Sequence, residues 1–256
     1  MPSFAAIRTS NAAFTHSSHP VGVFVGGTSG IGEAMARAFA EHTKGDSDII
    51  IVGRHRASAE NIFSSLPMPT SISTSESDKS TPAREFVQCD VTLMKNIQEA
   101  TRRILTEHPK INYLVMSPGF MTMAGRDETE EGIDKKLAVH YYARWKFLFD
   151  LLPALRKANE SGEKGAVMSI LAAGKGGAID LEDLALKTGY SVPRVALIAP
   201  TYNDLMLEAS SYFIDSYTLF NFPPFSPFQS KHQTSNSSTL IQDSCGPLSS
   251  PPLRPG

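Results

Sequence analysis

Residues 21–43 read VGVFVGGTSGIGEAMARAFAEHT, and the reading of this stretch decides the fold. Val21, Val23, Phe24 and Val25 make a short apolar run, the pattern of a strand buried on both faces. Gly26, Gly27, Gly30 and Gly32 follow within seven residues, with Thr28 and Ser29 between them. Ala34, Met35, Ala38 and Phe39 then recur among strong helix formers, which predicts a helix. A strand, a glycine turn and a helix N-terminus together can hold a phosphate. The glycines let the backbone come close, unpaired N–H groups point at the anion, and the helix dipole favours negative charge. The glycine spacing by itself also fits a tight β–α turn that binds nothing; the flanking strand and helix favour the phosphate device.

The whole chain sets the bounds. At 256 residues, 41% hydrophobic and with net charge −2, it can bury one sizeable core. So even a balance leaves no electrostatic footprint for nucleic acid. No apolar run approaches the roughly 18 residues of a membrane helix. The N-terminus, with Arg8 as its clear charge, lacks the pattern of a secretion signal or a transit peptide. Cys89 and Cys245 are too few for a disulfide framework, so a reducing cytoplasmic setting is expected. Seven histidines without ligand spacing give no metal site.

Taken in order, residues 1–19 are a polar lead-in, and a turn at Gly45–Asp48 precedes a second buried strand, Ile49–Val52. Two apolar strands joined by a helix predict a right-handed parallel βαβ unit. The end of the second strand bears on cofactor choice. An Asp or Glu there would accept hydrogen bonds from a ribose 2′-hydroxyl, but this chain has Gly53, Arg54, His55 and Arg56. Two guanidinium groups suit a 2′-phosphate, which favours NADP over NAD; a solvated basic turn is the plainer alternative. Residues 64–84 are rich in Ser, Thr and Pro and read as a flexible surface insertion. Further strands are expected at Glu85–Cys89, Ile111–Met116 and Gly165–Ile170, and helices at 96–105 and 127–157. Leu137, Tyr141, Trp145, Leu148 and Leu152 form one stripe of the longer helix and are expected in the core.

The spacing Gly26-xxx-Gly30-Ile31-Gly32 resembles the TGxxxGIG motif of the short-chain dehydrogenase/reductase family, with Val25 where Thr is usual. The resemblance runs from about residue 20 to about residue 208. It implies an NADP-dependent oxidoreductase that moves hydride between cofactor and a small alcohol or carbonyl compound. It implies that Gly26, Thr28, Ser29, Gly30, Ile31 and Gly32 cradle the pyrophosphate, Arg54 holds the 2′-phosphate, and Asp90 and Val91 flank the adenine. Asp90 would otherwise serve only to cap the next helix. Where the family ends its fourth strand with Asn-Asn-Ala-Gly, this chain has Met116, Ser117, Pro118 and Gly119; Ser117 and Gly119 keep the cofactor position. The helix Asn that holds a relay water aligns with His140.

The catalytic half departs further. The family's catalytic Ser falls at Ile170 or Leu171, and alternation sends Ser169 to the opposite face. In YxxxK the Tyr is in place as Tyr202, touching cofactor and substrate, but the Lys position is Met206. A free Tyr titrates near about 10, and without a cation beside it on the order of one phenol in a thousand is ionised at neutral pH. Lys175 or Lys187 would have to supply that charge from elsewhere. The segment IDLEDLALKTGYS is similar to the insert of retinol-dehydrogenase-like members.

After Ile214 the periodicity dissolves into a Pro- and Ser-rich stretch, with no sixth strand legible and the helix after Tyr202 cut short. The expectation is a single α/β domain over residues 20–214, a Rossmann-like doubly wound parallel sheet with five strands in sight. Its C-terminal portion, 215–256, is expected to be disordered, as from a truncated or mis-spliced reading frame. The partners expected are a small-molecule substrate and, from the resemblance, a second copy of the chain through two long helices, with no nucleic acid and no membrane. The competing reading is a nucleotide-binding protein with impaired catalysis, since Tyr202 alone keeps its place among the family's catalytic Asn, Ser, Tyr and Lys.

Overall fold

The computed structural model describes residues 3–12, 19–69, 81–172, 174–213 and 218–221. In chain order its elements are α1 (Phe4–Ala12), β1 (Val21–Val25), α2 (Gly30–His42), β2 (Asp48–Gly53), α3 (Arg56–Ser65) and β3 (Arg84–Gln88). They continue with α4 (Met94–Glu107), β4 (Tyr113–Met116), α5 (Lys135–Leu137), a π-helical turn (Ala138–Tyr142), α6 (Ala143–Glu160), β5 (Ala166–Ser169), α7 (Val192–Phe213) and β6 (Thr218–Asn221). The strands form one parallel sheet in the order β3-β2-β1-β4-β5-β6. This is the doubly wound α/β fold.

The apolar strands are explained by burial on both sheet faces. Val23, Val25, Ile50, Val52, Leu114, Met116 and Val167 pack in one core with Phe147, Leu148 and Leu151 of α6 and Ile97 and Ile104 of α4. Phe24, Ile49, Ile51, Phe86 and Val115 pack on the other side with Ala36 and Ala40 of α2 and Ala59 and Ile62 of α3. From β1 the chain steps to β2 and β3, then returns to place β4 on the far side of β1. That reversal opens a crevice at the carboxyl ends of β1 and β4, where α/β sheets bind ligands. Among the described residues no helix is long and apolar enough to cross a membrane.

Several boundaries differ from expectation. Phe4–Ala12 is helical inside the polar lead-in, and Ser64, Ser65 and Arg84 belong to α3 and β3 rather than to the insertion. The helix expected from residue 127 begins only at Lys135. Gly132 adopts φ 73°, and the Asp134 carboxylate accepts from the amides of Lys136 and Leu137, a side-chain cap that starts the helix there. Upstream, Glu131 caps α4 by accepting from the Met94 and Lys95 amides at 2.7 and 2.9 Å.

The π-turn also changes the buried face. One extra residue rotates the remainder of the helix by roughly 100°, so Phe147, Leu148, Leu151, Ala154 and Leu155 face the core while Trp145 is 36% exposed. Of the expected stripe, Leu137 and Leu148 are buried in the core, Tyr141 and Leu152 are half-buried, and Trp145 is corrected to the exposed side. The helix bearing Tyr202 is not short: α7 runs 22 residues with Pro200 inside it. A sixth strand is present, Thr218–Asn221, parallel to β5. The other residues of the expected disordered tail lie outside those described.

Candidate functional site

The glycine turn is built by close approaches. Gly26 has φ 79°, and a Cβ there would lie 2.8 Å from the Pro118 nitrogen. A Cβ on Gly32 would lie 2.4 Å from both the Gly26 carbonyl oxygen and Ser117 Oγ. These two positions lock the start of α2 against the ends of β1 and β4. Gly30, with φ 58°, faces open space, with nothing within 4 Å of its Cβ position. Ser29, the N-cap of α2, is extended and its hydroxyl makes no cap bond. The first amides of α2 thus point outward with neither an intrahelical acceptor nor a side-chain cap.

A cavity of about 680 Å³ opens in front of them. It runs from Thr28, Ser29, Gly30 and Ile31 past Gly53, Arg54 and His55, then Asp90, Val91 and Thr92, to Ser117, Gly119 and Phe120. Arg54 makes no hydrogen bond or ion pair among the described residues. Arg56 is committed elsewhere: its guanidinium lies 5.0 Å over the Phe86 ring and 3.9 Å from Glu60. Of the two guanidinium groups, that of Arg54 lines the cavity. Asp90 Oδ1 accepts from the amide and hydroxyl of Thr92 at 3.0 and 2.8 Å. The residue thus fastens a turn as well as lining the cavity, while the N-cap of α4 is Leu93. Ser117 Oγ donates toward the carbonyls of Val25 and Gly26 at 3.3 and 3.4 Å, stitching β4 to β1. Cys89 sits in the wall as an inert thiol, its pKa pushed up to about 12 by burial and by Asp90.

At the other end, His140 Nε2 accepts from the Phe120 amide at 3.4 Å, which assigns the ring proton to Nδ1. Burial pulls the imidazole down to about 4, with the charge on Arg144 adding to the effect. At neutral pH it is uncharged.

Tyr202 does not line the cavity. Its ring sits in an apolar cluster with Leu137, Leu186, Val195 and Ile198, and its hydroxyl donates to the Leu184 carbonyl at 3.0 Å. Burial, with Tyr142 and Tyr141 beside it, raises the phenol above its usual value. The cause is the segment 179–191, which folds over it. Asp183 organises that loop by accepting from the amides of Lys187, Thr188 and Gly189, and Leu186 is fully buried beneath it. Met206, at the expected Lys position, is a core side chain 3% exposed.

Ser169 faces away from Ile170, as alternation requires, and is buried in a polar chain. It accepts from Arg144 Nη1 at 2.7 Å and donates to Asn203 Oδ1 at 3.1 Å. Asn203 Nδ2 in turn donates to the His140 carbonyl at 2.5 Å. Arg144 and Asn203 escaped the sequence reading. The signal for Arg144 was its place on the buried side of the helix, three residues after Tyr141 and four before Leu148.

The structure thus gathers Gly26, Thr28, Ser29, Gly30, Ile31, Arg54, Asp90, Val91, Ser117 and Gly119 around one cavity. Gly32 stands directly behind, His140 is at its edge, and Tyr202 is apart. Open space at Gly30, unpaired helix amides and a free Arg54 fit a dinucleotide bearing a 2′-phosphate.

A model of the short chain dehydrogenase family matches residues 21–200. Oxidoreductase AN1596 of Emericella nidulans is 32% identical over 208 residues, 81% of this chain and 58% of that protein. Oxidoreductase andH of Emericella variicolor is 32% identical over 211 residues, 82% of this chain and 57% of that protein. The chain spans little more than half the length of these relatives. Its fold is similar to an alcohol dehydrogenase from the archaeon Thermococcus sibiricus complexed with 5-hydroxy-NADP. That match has a TM-score of 0.56 at 17% identity and covers 79% of this chain and 74% of that one.

Proposed function

This chain belongs to the short chain dehydrogenase family, and from that premise we propose that it is an NADP(H)-dependent oxidoreductase acting on the alcohol or carbonyl group of a small molecule. The observation that carries this reading is the open seat at Gly30, faced by unpaired α2 amides with an unpartnered Arg54 farther along the same cavity. The amides and hydroxyls of Thr28, Ser29, Gly30 and Ile31 hold the pyrophosphate, and Arg54 discriminates for the 2′-phosphate. Asp90 Oδ2 and Val91 flank the adenosine. Ser117 and Gly119 let the nicotinamide end lie close to the sheet edge, where the bound cofactor supplies the hydride. His140 holds a water at that end.

A reducing cytoplasmic setting fits the buried, unpaired Cys89. Trp145 and Phe149, stacked 6.3 Å apart and exposed on α6, offer a face for a second copy.

The test is titration with NADPH and NADH, read by fluorescence and thermal shift. NADPH is expected to bind at least tenfold more tightly than NADH, and Arg54→Ala to remove that preference while leaving NADH binding within about twofold. Equal affinities in the unmodified chain would refute the NADP assignment, and no binding of either would refute the dinucleotide reading.

A second reading, a nucleotide binder with impaired chemistry, is favoured by the commitment of the Tyr202 hydroxyl to Leu184. Turnover over a panel of carbonyl compounds separates the two. Activity abolished by Tyr202→Phe supports the enzyme with Tyr202 as its acid, whereas NADPH binding without turnover supports the binder.

A further inference from the structure

Arg144 is 1% exposed and no carboxylate pairs with it among the described residues. Its guanidinium donates to the carbonyls of Met116 at 3.1 Å, Pro118 at 2.7 Å and Ile170 at 3.0 Å, and to Ser169 Oγ. Every acceptor is neutral, and Nε–H has no partner among the described residues. A buried cation without a counter-ion costs several kcal/mol in desolvation. A tie between two strand ends does not by itself require a charge, since a neutral amide also donates to carbonyls, though through two N–H bonds rather than five.

The location gives the charge a use. Met116 and Pro118 lie at the carboxyl end of β4, Ser169 and Ile170 at that of β5, and Pro118 lines the cavity between Ser117 and Gly119. The cation is thus one peptide group behind the wall at the end away from Arg54. Its neighbours do not cancel it. The Asp134 carboxylate accepts from the amides of Lys136, Leu137 and Asp127, and at His140 its charge is opposed by that of Lys136 as well as by that of Arg144. The Lys136 ammonium, a second buried cation, is held by the carbonyls of Ala124 and Gly125 and by the Tyr190 hydroxyl.

We propose that Arg144 is the fixed positive charge of the nicotinamide end, an electrostatic positioning residue that biases the cavity toward the reduced cofactor. This rests on the dinucleotide reading above. The oxidised nicotinamide ring carries a positive charge and the reduced ring none, so an unscreened cation behind the wall disfavours the oxidised form. In the same field, negative charge developing on a carbonyl oxygen is stabilised, and the site is built for reduction. The charge sits on α6 rather than on α7, where Met206 leaves the expected Lys position uncharged.

The experiment is equilibrium titration of the full chain with NADPH and with NADP+ by fluorescence or calorimetry, giving the ratio of the two dissociation constants. The unmodified chain is expected to favour NADPH on the order of tenfold, the effect of one unit charge roughly 12 Å away at an effective dielectric of about 20. Arg144→Lys keeps the bias. Arg144→Met removes it, and so does Ser169→Asp, which hands the guanidinium a carboxylate in place. Should Arg144→Met fail to fold, Ser169→Asp and the unmodified chain still decide. Equal affinities in the unmodified chain overturn the proposal. So does a ratio unchanged in the neutralised variants while both affinities fall together, which is the behaviour of a purely structural tie. If neither nucleotide binds, the dinucleotide reading fails, and this inference with it.

Discussion

Gly30 and Gly32 are two residues apart, and the structure gives them opposite liabilities. A methyl group on Gly32 would meet the Gly26 carbonyl oxygen at 2.4 Å and its carbon at 2.9 Å, both backbone atoms. Relief requires the β1–α2 loop to move by roughly an ångström, and overpacking of this kind costs about 1–3 kcal/mol. A domain of this size loses about 2–4 °C of melting temperature per kcal/mol, so Gly32→Ala is expected to melt roughly 2–12 °C lower. A methyl group on Gly30 meets nothing. Its cost is the left-handed backbone, about 1–2 kcal/mol, partly offset by about 0.4–1 kcal/mol from a stiffer unfolded chain. Gly30→Ala should therefore melt within about 5 °C of the unmodified protein. Yet it fills the seat of the pyrophosphate and should lose at least tenfold in NADPH affinity, about 1.4 kcal/mol. Thermal melting and NADPH titration of both variants make the assay. Unchanged NADPH affinity in Gly30→Ala would refute the placement of the pyrophosphate. Unchanged melting of Gly32→Ala would refute the close approach of α2 to β1.

Two further predictions concern buried charge. His19 is raised by its hydrogen bond to Asp48, with Asp46 adding, and His108 by its hydrogen bond to Glu85, with Asp48 adding. Asp48 is lowered although burial opposes it, through His19 and the Ala83 amide, and Glu85 is lowered chiefly by His108. A histidine raised in the folded state contributes fully below its unfolded value of about 6.5, and the contribution is lost as pH rises through the folded value. The lowered carboxylates contribute above about 4, and that is lost as pH falls through their folded values. His140, held down to about 4, works the other way, since its contribution is lost as pH falls below its unfolded value of about 6.5. Melting temperature should therefore peak near about pH 6.5, declining toward about pH 8 through His19 and His108 and toward about pH 4 through His140 and the carboxylates. The paired substitution His19→Asn and His108→Asn should flatten the alkaline limb, and an unchanged slope would refute the assignment. Met206→Lys restores the family's residue type but places an ammonium in a core 3% exposed. It should cost several kcal/mol and give no gain in turnover; a fully stable variant with raised activity would show that the long stem escapes the core.

The strand, glycine turn and helix that open the sheet were legible because their causes are local. Strand, glycines and helix lie within 23 residues, and each spacing has one good physical use. The π-turn was not legible, since Leu137, Tyr141, Trp145 and Leu148 fit an uninterrupted helix equally well; only tertiary packing shows that the face rotates after Tyr142. The fate of Tyr202 was hidden for a related reason. Its partner, Leu184, lies 18 positions upstream in a loop organised by Asp183, and no periodicity encodes that meeting. Thr218–Asn221, four residues between unpatterned segments, is too short to declare itself as a strand.

The departures from the family's pattern converge on one place. Ile170 packs against a core cluster at an expected Ser position, Met206 fills the core, and Tyr202 faces a loop carbonyl, while the neighbouring Ser169 and Asn203 bond Arg144 and the His140 carbonyl. Side-chain positions that would manage a proton are here spent on packing and on a buried polar chain, while positive charge at that end is kept. Charge without a proton donor still sorts the two oxidation states of a nicotinamide, because sorting needs only a field. Turnover needs a proton delivered to a developing alkoxide, and we propose that a neutral His140 imidazole at that edge of the cavity passes it through a water. Rate should then depend on solvent proton donors. Turnover that rises with the concentration of a small acidic buffer at fixed pH is expected, and a buffer-independent rate would place a protein proton donor in the site after all.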